Sequence, residues 1–229
     1  MAGGFSLKDD LFNPETVGGL AARFRAQDPG FDPGFEARVL ARFPELELKQ
    51  RIDWIADCLV SALPEDFPEA AEVIQRALPE PLDPTLTDGD FGHFVYAALG
   101  EVAVKRGLEE HRDRALDLIE ALTQRFSMEY AIRPFLNRWP GDTFARLTAW
   151  ADHPSYHVRR LVSEGSRPRL PWGIGIDLAP GAIMPLLDRL HADPARFVTR
   201  SVANHLNDIS KRDPGPVIAA LERWRAEGR

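Results

Sequence analysis

Apolar positions along the chain recur at helical spacing. Over residues 46–63, Leu48, Ile52, Ile55, Leu59 and Leu63 follow at intervals of four, three, four and four, one stripe on an α-helix. Ala115, Ile119, Leu122 and Phe126 repeat the pattern within 109–126. Asn13-Pro14 places a capping side chain before a proline at the first helical position and predicts a helix over 14–26; Asp32-Pro33 predicts one over 33–43. Further helices are expected over 69–78 and 90–106, from Ser127 as a cap, from a capping Asp142 to Ala151, over 154–165, and from Pro180, Pro194 and Pro214. Pro79, Pro81 and Pro84 make 79–90 a loop, and Gly107 is a stop. Alternating period-two runs bounded by hairpin turns are not visible, so the expectation is an all-α chain.

The second half is repetitive. HPSYHVRRLV begins at His153 and DPARFVTRSV at Asp193, an offset of 40 that aligns Pro154 with Pro194, Val158 with Val198, Arg160 with Arg200 and Val162 with Val202. Helix pairs repeating at about 40 residues are the mark of HEAT-like repeats, which bury their apolar faces by stacking into a solenoid with a concave surface. The expectation is a single HEAT-like domain over 1–229, with an N-terminal helical part (1–106) and repeats carrying the candidate site (107–229). Trp54, Trp139 and Trp150 fall in apolar helical patterns and are expected in the core, with Trp224, near the end of the last helix, expected to cap the solenoid.

Composition narrows the function classes. The 229 residues are 44% apolar and 28% charged. No apolar run approaches 18 residues, and MAGGFSLKDDLF lacks the basic and apolar regions of a signal peptide. The lone Cys58 excludes an intrachain disulfide, so a cytoplasmic location without membrane contact is expected. The net charge of −7 is uneven: 1–124 holds 12 Lys and Arg against 24 Asp and Glu, and 125–229 holds 16 against 11. The acidic total argues against broad nucleic-acid binding, while the basic second half leaves room for one anion-binding face.

Two segments carry candidate chemistry. HPSYHVRRLVSEGSRPRLPW (153–172) holds Arg159, Arg160, Arg167 and Arg169 beside one acid, Glu164, and ends on Trp172. Arg160 and Glu164 share a helical face, and Arg159 points about a hundred degrees away. Pro168 and Pro171 keep Arg167 and Arg169 on a stiff segment suited to bidentate phosphate contacts. In SMEYAIRPFL (127–136), Glu129 precedes Arg133 by four, and Pro134 needs a first-turn position or a kink. Arg–Glu pairs of this kind also staple neighbouring helices without any site. His153 and His157, four apart, lack a third ligand nearby and are expected to cap and pack rather than bind metal. Gly173-Ile-Gly175 follows no strand and is no nucleotide loop. Arg200 and Asn204 are the 40-residue counterparts of Arg160 and Glu164. No lysine occurs between Lys105 and Lys211, so this region supplies no amine for a Schiff base.

HVRRLVSEGSRPRLPW and MEYAIRPFL, together with LKDDLFNPETVGGLAARF and SVANHLNDISKRDPGPVIAALERW, resemble the AlkC branch of the HEAT-like-repeat alkylpurine DNA glycosylases, the AlkC/AlkD superfamily. The resemblance spans nearly the whole chain. It implies an all-helical solenoid with a concave basic face that holds alkylated double-stranded DNA as a monomer, without cofactor or metal. It implies monofunctional hydrolysis of the N-glycosidic bond of cationic bases such as 3-methyladenine, 7-methylguanine or 3-methylcytosine. By position, Glu129 and Glu164 would be the catalytic carboxylates, though the family often has Asp at the second. Arg160 and Arg167 would lie near the lesion phosphates and Trp172 near the sugar or base, with Arg133, Arg169 and Arg200 completing the expected DNA contacts. Some members carry a C-terminal immunoglobulin-like domain, which this sequence is not expected to supply. The competing expectation is a non-catalytic helical-repeat module that binds DNA structure or a protein partner.

Overall fold

A computed structural model describes residues 6–176, 178–179 and 181–228. Helices α1 (Leu7–Leu11), α2 (Pro14–Gln27), α3 (Phe35–Arg42), α4 (Leu48–Ala62), α5 (Phe67–Ala77), α6 (Ala97–Gly107) and α7 (Arg112–Thr123) are followed by α8 (Ile132–Arg138), α9 (Pro140–Trp150), α10 (Tyr156–Gly165), α11 (Met184–Leu190), α12 (Arg196–Ser210) and α13 (Gly215–Ala226). The fold is all-helical, and no strand forms among the described residues. None of these helices is long and apolar enough to cross a membrane. The helix expected from Pro180 opens outside the described residues; the chain is helical from Met184.

Local chemistry sets the boundaries. Asn13 Oδ1 accepts the Glu15 and Thr16 N–H groups while Thr16 Oγ1 accepts the Asn13 N–H, a closed capping box. Asp32 spends its side chain on the Gly34 N–H, an Asx turn, so α3 begins two residues later than the Asp-Pro signal suggests. Asp66 caps α5 through the Glu69 N–H, ahead of the expected start. Pro140 opens α9, which puts Asp142 in the first turn rather than at the cap. Asp152, just beyond α9, pairs with Arg189. Pro134 is the third residue of α8, where no helical N–H is lost, so the helix need not kink.

Packing divides the chain into two compact units, residues 1–80 with 91–126, and residues 81–90 with 127–229. The division falls at Phe126/Ser127 because α7 packs on α5 and α6. In the first unit Ile55, Leu59, Ile74, Leu116 and Ile119 are fully buried. Arg51 is buried with them and donates to the carbonyls of Lys8, Phe12, Phe43 and Leu46, tying α1 to α4. Trp54 is only half-buried, with its indole N–H on the Val39 carbonyl.

In the second unit the 40-residue offset is structural. Helices α9 and α11 end at Trp150 and Leu190, and α10 and α12 begin at Tyr156 and Arg196. The turns between them match: His153 Nδ1 accepts the Ser155 N–H, and Asp193 Oδ1 accepts the Ala195 N–H. Arg159 joins the two turns, bonding Asp193 with Nε and Nη2 and the His153 and Pro154 carbonyls with Nη1. Trp150 is buried as expected and Trp139 only half-buried. Trp224 stacks on His191 and donates to Asp188.

Helices α5, α6 and α7 pack closely at Gly107, where an added Cβ would lie 2.5 Å from the Ala115 Cβ and 2.8 Å from the Phe67 ring. Gly107→Ala is therefore expected to destabilise the protein by about 1–3 kcal/mol in urea unfolding; unchanged stability would show that α6 and α7 are not packed this tightly.

Candidate active site

Two carboxylates distant in sequence meet on one guanidinium. Arg160, on α10, donates from Nη1 to Glu129 Oε2 (2.9 Å) and to Ser127 Oγ (2.8 Å). Its Nη2 lies 3.7 Å from Glu164 Oε2, one turn along the same helix. Glu164 Oε1 accepts from Arg167 Nη1 at 2.7 Å, and Arg167 also grips Asp208 on α12 through Nε and Nη2. Charges thus alternate along Glu129, Arg160, Glu164, Arg167 and Asp208. Alternation is what allows them to be buried, because an unpaired internal charge costs several kcal/mol.

Sequence places these groups through three local devices. The turn 127–131 ahead of α8 carries Glu129, and Ser127 donates to its Oε2 (2.5 Å) instead of capping a helix. Helix α10 presents Arg160 and Glu164 at i and i+4. At its C-terminus Gly165 lies so near α8 that a Cβ would stand 2.5 Å from Ile132 Cγ2. Helix α12 puts Ser201, His205 and Asp208 on its buried stripe. Ser201 Oγ donates to Glu164 Oε2 (2.6 Å), and the His205 Nδ1–H donates to the Ser163 carbonyl (2.9 Å). The Arg160 guanidinium sits 4.3 Å over the Phe197 ring, a cation–π contact of about 0.5–2 kcal/mol.

The two glutamates differ in availability. Both Glu164 oxygens are committed and its side chain is 7% exposed. Burial pushes its carboxyl up, but Arg160, the Ser201 hydroxyl and Arg167 outweigh this and hold it below the usual carboxylate range. Glu129 is bonded through Oε2, its side chain is 15% exposed, and Oε1 takes no hydrogen bond from a described residue. Tyr130, beside them, has its phenol pushed up to about 12 by burial and by the charges of Glu129 and Glu164, so it remains a donor.

The expected DNA-binding residues separate. Arg133, expected at the DNA, is instead fully buried: its Nε donates to the Ile174 carbonyl and its Nη1 to the carbonyls of Gly165 and Arg167. Arg160 and Arg167 lie on the carboxylates. Arg169 and Trp172 are exposed on the segment after α10. Arg200 pairs with Asp88, which also holds Arg196. Asn204 is exposed, away from the cluster. Of the two histidines, His153 accepts a turn N–H while His157 is buried against Tyr156 and Phe197. Ser127, Tyr130, Phe197, Ser201, His205 and Asp208 were not anticipated. The available signal was Ser201, His205 and Asp208 at i, i+4 and i+7 where an apolar stripe should run.

No family model matches the chain. It is 33% identical over 220 residues to the uncharacterized protein YhaZ of Bacillus subtilis, a match covering 94% of this chain and 58% of that protein. Its fold matches the Pseudomonas fluorescens alkylpurine DNA glycosylase AlkC, solved bound to DNA containing an abasic site analog, with a TM-score of 0.85 and 33% identity over 98% of this chain and 61% of that one. The chain thus spans about three fifths of the length of these relatives. Fold and sequence together define a helical-repeat protein of the HEAT-like class. Within that class the chain is similar to the alkylpurine DNA glycosylase AlkC over nearly all of its own length.

The buried imidazoles generate a pH dependence. Burial pushes His157 and His205 down to about 4, against 6.5 for the free side chain. Between those values the unfolded chain binds protons that the folded chain does not, so stability rises with pH. The contribution is fully present above pH 6.5 and is lost as the pH falls towards 4, of order 3 kcal/mol per histidine. Glu164 adds a further loss below its unfolded value of 4.5. Thermal unfolding between pH 4 and 7 is expected to show this slope, and His157→Phe should flatten it; an equal slope in the variant would contradict the assignment.

Proposed function

We propose that the chain is a monofunctional alkyl-base DNA glycosylase, acting as a monomer on duplex DNA and hydrolysing the N-glycosidic bond of cationic N-alkylated bases to leave an abasic site. 3-Methyladenine, 7-methylguanine and 3-methylcytosine are the substrate candidates. The carrying observation is Glu129, fixed through Oε2 by Ser127 and Arg160 while Oε1 stays unclaimed among the described residues. The likeness to AlkC, solved with abasic-site DNA, supports the same reading.

A base alkylated to a cation is already a good leaving group and needs no proton from the enzyme. As its bond to the sugar breaks, positive charge develops on the deoxyribose, giving an oxocarbenium-like transition state. Glu129 stabilises that charge and orients the attacking water through Oε1. Glu164 acts at one remove: it holds Arg160 and Arg167 in place, and Arg160 holds Glu129. The Trp172 face contacts the cationic sugar or base, while Arg169 and Arg200 take phosphates, which position the duplex without reading its sequence. The lysine-free stretch from Arg106 to Ser210 supports simple hydrolysis rather than strand cleavage.

Single-turnover assays on duplexes carrying each lesion test this. Wild type is expected to release at least one base and leave the strand intact. Glu129→Gln should slow release by about 10²–10⁴-fold with the helical signal unchanged. Glu164→Gln should lower stability and activity together, because it leaves two buried guanidiniums under-paired. The complete saturation of Glu164 favours one other reading, a non-catalytic module in which the cluster only binds helices together. Salt-dependent duplex binding without base release, unaltered by Glu129→Gln, would establish that reading instead.

A further inference from the structure

The buried guanidinium of Arg133 joins two parts of the candidate site. Its backbone N–H bonds the Tyr130 carbonyl, in the turn that carries Glu129. Its side chain donates from Nε to the Ile174 carbonyl (2.5 Å) and from Nη1 to the carbonyls of Gly165 (3.0 Å) and Arg167 (2.8 Å). These acceptors bracket the segment 166–173. A Cβ on Gly173 would stand 3.1 Å from Arg133 Nε and 3.2 Å from its Cδ, so the loop lies directly on the guanidinium. Asn137, one turn further along α8, donates to the Gly175 carbonyl.

The same segment holds the one non-glycine residue with positive φ among the described residues, Trp172 at 65°, and leaves that residue 54% exposed. A bulky residue keeps this disfavoured backbone only where its surroundings fix it, and such positions cluster at functional sites. Three carbonyls on one planar fork supply that fixation in a way an ammonium point charge does not.

We propose that Arg133 is a positioning residue: it clamps the Gly165, Arg167 and Ile174 carbonyls so that Trp172 is held, exposed and in left-handed backbone, in fixed register with the turn carrying Glu129. The role rests on the glycosylase reading above, but the clamp can be tested without it. Arg133 contacts no DNA in this scheme; it acts through Trp172.

Hydrogen exchange and a double-mutant cycle test the clamp. In wild type the Gly173 amide, bonded to the Leu170 carbonyl, should exchange slowly, and in Arg133→Lys at least tenfold faster, with α12 unchanged. Asn137→Ala, at an exposed position, should loosen the same segment less and serves as the second variant if Arg133→Lys fails to fold. In single-turnover base release, Arg133→Lys and Trp172→Ala should each cost about 10- to 100-fold. The double variant should be no slower than the slower single one, because both remove the same contact. Losses that multiply, or a wild-type segment exchanging as fast as in Arg133→Lys and Asn137→Ala, would overturn the proposal. If wild type releases no base, the glycosylase reading fails; exchange, together with the same cycle read as affinity for abasic-site duplex, still decides on the clamp.

Discussion

One guanidinium shared by two carboxylates organises the second unit of this protein. Arg160 meets Glu129 from the turn before α8 and Glu164 from its own helix, and Phe197 of α12 lies beneath it. Each partner comes from a different part of the chain, so the contact exists only when α8, α10 and α12 are all in place. Buried ions leave little freedom in such an arrangement, because displacing any one strands its neighbour without water. The line of alternating charge therefore fixes the carboxylates more firmly than packing of apolar side chains alone would.

Arginine serves a second purpose here. Arg51 in the first unit and Arg133 in the second are buried guanidiniums whose donors go largely to main-chain carbonyls, and Arg159 ties together the turns ahead of α10 and α12. Rigid forks with five donors can satisfy several carbonyls at once, as a lysine cannot. In the basic second half Arg133 and Arg160 are buried on backbone and acids, whereas others, Arg169, Arg196, Lys211, Arg212, Arg223 and Arg225 among them, are exposed.

These two uses of charge make a coherent chemical surface. A carboxylate whose inner oxygen is pinned needs no reorganisation when positive charge develops beside it, and preorganisation of this kind is the main source of electrostatic catalysis. In the proposed reaction the exposed ring of Trp172 would complement it, since a cation is attracted to both. The rigidity of the cluster rests on Ser201 and Asp208, which hold Glu164 and Arg167, and on the close contact of Gly165 with Ile132 and the bonds of Arg133 to the backbone after it.

Much of the fold was legible in sequence. The capped start of α2, the stripe along α4 and the 40-residue offset between α10 and α12 all rest on spacing within one helix or on side chains bonding their own backbone, which are local. The residue types of the cluster were legible too, as the pairing of Arg160 with Glu164 one turn apart shows. Tertiary structure decided what those residues face. The repeat suggested Arg200 and Asn204 as the matching face of α12, yet the helix turns Ser201 and His205 inward instead. The resemblance suggested that Arg133 would contact DNA, yet it is buried on the carbonyls of Gly165, Arg167 and Ile174, over thirty residues away. Helical periodicity fixes which residues share a side, but which side is buried, and which buried charge finds its partner, depends on contacts between segments that no local pattern records.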